Sequence, residues 1–415
     1  MSTSTTSPPD LSAVDLADPR LWDDGPPYEI FGAIQREAPI HFSAQANAPA
    51  EGGFWSVVRF EDVHQVSRDF ETFSSEKRGI FSVDDIGVPL DVQRLQMISM
   101  DPPRHARLKK IVGKMFTPLR IAEHEDHIRE IVTNVLDRAE GMDRFDLVTE
   151  IARPIPARVI GNMLGTPEED DEKLVHWTNV FTAFEDPEVR EQWDDTEAVL
   201  GEIIEYCHAQ IAERRANPTE DLVSALMNAE VDGEKLDDYE IAVFFILLMS
   251  AGNDSTRATY SGIMKSILED DGTRQRLIDD PELIPAAVEE GLRCYPAFAF
   301  MARAATKDVE LQGQQIKEGD RLLLWYLASN RDETVFEDPH HFDLDRHNRE
   351  DHQAFGARGR HFCLGAALAR LELKVWLEET LRRMPDLELD GEPNRVRALF
   401  LNQFNSIPVR RAGAA

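Results

Sequence analysis

Phe355-Gly356-Ala357-Arg358-Gly359-Arg360-His361-Phe362-Cys363-Leu364-Gly365 is the stretch on which the reading of this 415-residue chain turns. Glycines at 356, 359 and 365 permit sharp backbone bends and let a flat partner come close to the main chain. Cys363 stands just before a helical pattern running from Ala366 to Arg383. Free N–H groups at a helix N-terminus favour a thiolate over a thiol. By itself, a buried structural cysteine in a glycine turn would present the same local pattern.

Outward from this loop, the pattern is mostly helical. Asp237 or Asp238 caps a helix to about Leu268 that is apolar on every face in its middle, as expected for a helix at the centre of a large protein. Within it, Ala251-Gly252-Asn253-Asp254-Ser255-Thr256 places small residues beside an acid and two hydroxyls. A buried acid there is costly unless it is solvated or used. A further helix spans Ile284 to Cys294 and stops before Pro296. On it Glu290 and Arg293, three residues apart, share a face and can pair. Asp101-Pro102-Pro103 opens a helix to about Phe116, and helical patterns continue to Ala216. The stretch from Gly79 to Met100 reads as loop. Phe54 to Val58 reads as a strand, and Val309 to Leu311 with Arg321 to Trp325 as a hairpin around the turn at 317–320. The expected fold class is therefore mainly α with small β-sheets (α+β). A flexible tail is expected over 1–18 and one large helical domain over 19–415.

Composition narrows the function classes. A formal net charge of -32 opposes general nucleic-acid binding and docking on anionic membranes. The three cysteines, Cys207, Cys294 and Cys363, show no paired spacing, which argues against a disulfide scaffold or a cysteine-pair zinc site and suits a reducing cytoplasm. The Ser/Thr/Pro-rich start lacks the apolar stretch of a signal peptide, and the longest apolar run, Ile241 to Met249, is too short to span a bilayer, so no membrane anchor is expected.

Taken together, the cysteine loop resembles that of the cytochromes P450, in which a phenylalanine, spaced glycines and a basic residue precede the cysteine. The family's usual spacing is one residue shorter between Phe355 and Cys363. The expanded loop, with the run Leu399 to Phe404, is similar to bacterial members that oxidise cholesterol side chains and methyl-branched lipids. Glu290-Gly291-Leu292-Arg293 resembles the family's ExxR helix. Its usual third partner, an arginine in a Pro-x-Arg-Phe stretch, is missing from Pro339-His340-His341-Phe342. Residues 251–256 resemble the oxygen-activating turn, with Asp254 as the acid, Ser255 where threonine is usual, and Thr256 next.

The resemblance implies a single-domain cytochrome P450 fold holding haem b, with Cys363 as metal ligand. Phe355, Gly356, Ala251 and Gly252 would lie against the cofactor, and Arg303, His361, His105 and Lys109 would meet its propionates. Asp254, Ser255 and Thr256 would relay protons. Leu247, Leu248, Phe298, Ala299 and Phe400 would line a substrate pocket. The implied activity is a cytoplasmic monooxygenase that inserts one atom of dioxygen into an unactivated C–H bond of a steroid, branched fatty acid or terpenoid. Its electrons would come indirectly from NAD(P)H through a separate ferredoxin and ferredoxin reductase. The rivals are a peroxide-driven peroxygenase, which would dispense with the acid and hydroxyl, and a haem-thiolate sensor or carrier.

Overall fold

The computed structural model describes residues 10–83, 88–182, 196–231 and 233–413. Its axis is the helix Asp238–Glu269, whose start carries a full capping box: Asp237 accepts from the Glu240 N–H and Glu240 accepts from the Asp237 N–H. Its 32 residues correspond to about 48 Å. From Ile241 to Ser250 every side chain is buried, which explains why no polar face is legible there. Helices Glu125–Ala139, Pro154–Leu164, Ile284–Cys294 and Ala366–Arg383 join it in the largest apolar cluster. The last two match their sequence-derived limits because both are bounded locally, by Pro285 at one start and the glycine loop at the other.

Between Phe116 and Ala216 the expected helices appear as Pro118–Ala122, Glu125–Ala139, Pro154–Leu164, Asp171–Thr182 and Thr196–Ala216, with a strand at Arg144–Asp146. Residues 183–195 of that stretch lie outside the described residues, as do 84–87 of the expected loop at 79–100, where short turns at Leu90–Gln93 and Met97–Ser99 also form. The helix after Pro103 is shorter than expected, Arg104–Val112, and its C-cap is Gly113.

Two expectations need correction. Val309–Leu311 pairs with Gln314–Ile316 and not with Arg321–Trp325. The turn is Gln312-Gly313, both at positive φ (48° and 79°), the backbone that a tight two-residue hairpin demands. Arg321–Trp325, buried throughout, instead lies at the centre of a five-stranded sheet. Its order is Ile40–Ser43, Phe54–Val57, Arg321–Trp325, Phe300–Ala305 and Phe73–Ser74. The tail is also shorter than expected. Leu16 and Ala17 are buried in a second apolar cluster with Trp22, Phe300 and Trp325. Leu16 N–H donates to Ser43 Oγ at 3.1 Å and Trp22 Nε1 donates to Leu16 O at 3.0 Å. Residues 1–9 lie outside the described residues.

Candidate active site

The cysteine loop folds back on itself before entering its helix. Gly359 N–H donates to Gly356 O at 3.0 Å, and Cys363 N–H to Phe355 O at 2.8 Å. Three successive residues of the loop have positive φ: Gly356 (97°), Ala357 (50°) and Arg358 (54°). Two non-glycine residues in that region are uncommon and cost energy that the surroundings must offset. Ser67 supplies part of the offset, donating to Gly356 O at 3.0 Å. It also packs so close to Gly359 that a Cβ there would collide with the Ser67 carbonyl, so glycine is required at that position.

Cys363 opens into a largely apolar cavity lined from the long helix, the cysteine loop and the strand that carries Arg303. Burial pushes the Cys363 thiol up, and the Gly365 N–H, Lys109 and Arg370 pull it down without reversing the balance. A cation bonded to the sulfur would favour the thiolate.

At one end of the cavity the bases collect. His105 and Arg303 are each 3% exposed, and the rings of His105 and His361 are 4.2 Å apart. His361 Nε2 is buried without a hydrogen-bond partner. The Arg303 guanidinium donates to the carbonyl of its own neighbour, Ala302, at 2.6 Å. Burial lowers the pKa of all three, His105 to about 4. Buried bases whose charged forms are disfavoured, one of them with an unpartnered ring nitrogen, form a site that an anion would complete. Lys109 also lines the cavity, but its ammonium is taken up by loop carbonyls, Arg360 O at 2.6 Å and Phe362 O at 3.0 Å. Its main partner in this structure is thus the cysteine loop. A thiol in the floor, flanking glycines and clustered bases at one edge fit a flat, doubly anionic cofactor such as haem.

The middle of the long helix supplies another part of the lining. Leu247, Leu248, Ala251, Gly252, Ser255 and Thr256 face the cavity. Ser255 Oγ donates back to Ala251 O at 2.6 Å and Thr256 Oγ1 to Gly252 O at 3.3 Å. Asp254 is not on the wall: it is fully buried and ion-paired to Arg257 at 2.5 Å, and Arg257 reaches Gln403 Oε1 at 3.0 Å. Phe298 lines the cavity, whereas Ala299 and Phe400, expected beside it, stand behind it. Phe400 packs on Phe298 with ring centroids 5.0 Å apart, and Ala299 N–H donates to Phe400 O at 2.8 Å. Met301, in the segment after the ExxR helix expected to line the pocket, does so, whereas sequence reading missed Phe116, Ile160, Phe244, Leu292 and Glu372 on this surface.

Glu290 and Arg293 form a fully buried pair at 2.7 Å. Their missing third partner is Arg346, whose Nε donates to both Glu290 oxygens at 3.0 and 3.2 Å. Arg293 Nη1 also donates to Asn330 O and Pro339 O, each at 2.8 Å, pinning the coil that leads into the cysteine loop.

Known proteins agree with this architecture. The family model described as Cytochrome P450 matches residues 174–395. The chain is 38% identical to a methyl-branched lipid omega-hydroxylase of Mycobacterium tuberculosis, covering 97% of this chain and 96% of that one. It is 34% identical to a steroid C26-monooxygenase of Mycolicibacterium smegmatis, over 97% and 95% of the two chains. The structure of a Mycobacterium marinum cytochrome P450 in complex with pseudoionone superposes with a TM-score of 0.88 at 33% identity, covering 98% of this chain and all of that one. With the thiol loop, the ExxR pair and the basic cluster in place, the chain belongs to the cytochrome P450 family of haem monooxygenases.

Proposed function

We propose that this enzyme oxygenates a long, apolar lipid (a steroid side chain, a methyl-branched fatty acid or an isoprenoid) toward the end of its chain. The observation that carries this reading is the apolar wall of the cavity that holds Cys363, to which Phe244, Leu247, Leu248, Leu292, Phe298 and Met301 contribute. Such a wall gains roughly 25 cal/mol for each Å² of apolar substrate surface it covers. The names of the hydroxylase and monooxygenase relatives support the same substrate class and terminal attack.

When bound, haem supplies the reductive activation of dioxygen. The protein's part is to exclude water, orient the lipid and move protons. Ser255 Oγ stands on the wall and can pass a proton into the cavity, with Thr256 beside it. Asp254 sits one layer behind and holds Arg257, so any proton it contributes must travel through Ser255 or ordered water. An acid and a hydroxyl at this turn favour the dioxygen-dependent reading over a peroxide-driven one. Electrons come from a separate ferredoxin and its NAD(P)H-dependent reductase, in the cytoplasm.

The test is titration of the haem absorption with cholest-4-en-3-one, a methyl-branched fatty acid and a small terpenoid, followed by product analysis with a competent donor. At least one lipid should bind below about 100 μM, roughly 5.5 kcal/mol, and be oxidised at a terminal carbon. Binding of a polar macrolide or small aromatic to the exclusion of all three would overturn the reading.

A further inference from the structure

Glu289, next to the ExxR glutamate, is the centre of a second ion cluster that the family motifs do not describe. Its carboxylate accepts from Arg370 Nε at 2.5 Å and Arg370 Nη2 at 2.9 Å, a bidentate pair, and meets His352 Nε2 at 3.1 Å. The Glu289 side chain is 12% exposed and that of His352 1%. Burial would raise the Glu289 carboxyl, but the hydrogen bonds from His352 and Arg370 outweigh it and hold it at about 2.

What the cluster encloses is Phe355. The Arg370 guanidinium lies 4.7 Å from the centre of its ring, and the His352 ring 5.6 Å away. The Phe355 carbonyl in turn accepts from the Cys363 N–H. Arg370 lies seven residues after Cys363 on the helix that the loop opens, and the two line one shallow groove. Arg370 is thus held by Glu289 against the residue whose carbonyl accepts from the ligand cysteine. Groups behind a metal ligand tune its electron donation.

We propose that Glu289 and Arg370 are positioning residues that set the reduction potential of the haem through Cys363 and Phe355. The guanidinium stabilises the additional negative charge of the reduced state, and Glu289 both fixes it in place and offsets part of its field. The inference rests on family membership and is independent of the substrate assigned above.

The experiment is spectroelectrochemical titration of the purified holoenzyme. Arg370→Met leaves Glu289 as an uncompensated anion and should lower the potential. Glu289→Gln leaves Arg370 as an uncompensated cation and should raise it. Each shift should be about tenfold in the reduction equilibrium, or about 59 mV for a one-electron couple. The double variant should return most of the way to the parent value. Should a single variant fail to retain haem, Arg370→Lys and Glu289→Asp are measured in its place. Arg370→Lys, which keeps the charge but not the fork, should lie between parent and Arg370→Met. Shifts of the same sign in both singles, the mark of a merely structural role, would overturn the proposal, as would no shift in either.

Discussion

Glu372 poses the sharpest question for a single residue. It lines the cavity, is 2% exposed, and its Oε2 has no hydrogen-bond partner. Burial holds its carboxyl well above the ordinary 4.5, so the folded protein keeps a proton there that the unfolded chain releases. The stability this proton confers is complete below about pH 4.5 and is lost as pH rises toward the folded value. Glu372→Gln has no proton to lose. Its melting temperature should match that of the parent near pH 4 and exceed it increasingly as pH climbs. A difference that stays flat with pH would show that the carboxyl is not held neutral. Ser255 supports a second prediction of this kind. Because Thr256 stands beside it on the wall, Ser255→Ala alone should be mild, and Ser255→Ala with Thr256→Ala should lower oxygenation relative to electron uptake. General acid–base contributions are about 100- to 10,000-fold, and unchanged coupling in the double variant would remove both hydroxyls from the proton route. Asp254→Asn is a poorer probe, since it also strands the buried Arg257.

Among the elements, the ExxR helix and the coil after it stand or fall together. Arg346→Ala leaves Glu290 with Arg293 and the Asp343 N–H, and frees the carbonyls of Glu337 and Asp338 that Arg346 now ties. Breaking a buried ionic network typically costs about 3–5 kcal/mol. Urea unfolding of the holoenzyme should show a loss of that order, with early haem release, and a loss under 1 kcal/mol would mean the coil is held elsewhere. Arg346 also shows what the sequence could and could not disclose. Helices bounded by local signals, such as Asp237 with Glu240 or the glycines before Ala366, were readable because cap and helix are adjacent in the chain. Arg346 was not, because it enters the site from a coil whose path depends on contacts with Asn330 and Pro339. The hairpin failed for a similar reason: Gln312-Gly313 closes it early, and Arg321–Trp325 instead pairs with Phe300–Ala305 and with a strand distant in sequence, Phe54–Val57. The thiol loop and the four bases were legible as a motif. The cavity wall was not, since Phe116, Ile160, Phe244 and Glu372 converge only after the helices pack.

At the scale of the whole molecule, the question is how an acidic protein of formal charge -32 receives electrons from another protein. The surface outside Cys363 answers it in part. Phe362 is 38% exposed and Leu119 78%, and the groove between Phe116, Pro118 and Leu364 is apolar. Around it the basic helix Arg104–Val112 contributes Lys110, followed by Lys114, while the loop contributes Arg358. Arg107 is paired with Glu234 at 3.0 Å, and Lys109 is tied to the cysteine loop itself. Arg358 meets Asp351 at 3.1 Å, but both are more than half exposed, and such pairs contribute little and yield easily to a partner. An acidic ferredoxin would therefore be steered by Lys110, Lys114 and Arg358 and seated on Phe362. Steering of this kind raises association rates by roughly 10- to 1,000-fold and fades once the Debye length shrinks to about 10 Å near 0.1 M salt. Reversing the three charges to glutamate should slow reduction by ferredoxin at low salt, and the gap from the parent should close as salt is added. Phe362→Ala should slow it by a factor that salt does not change, because the lost contact is apolar. Stopped-flow reduction across a salt series separates the two effects. If the triple reversal reduces at the parent rate at the lowest salt, the electrons enter through another face.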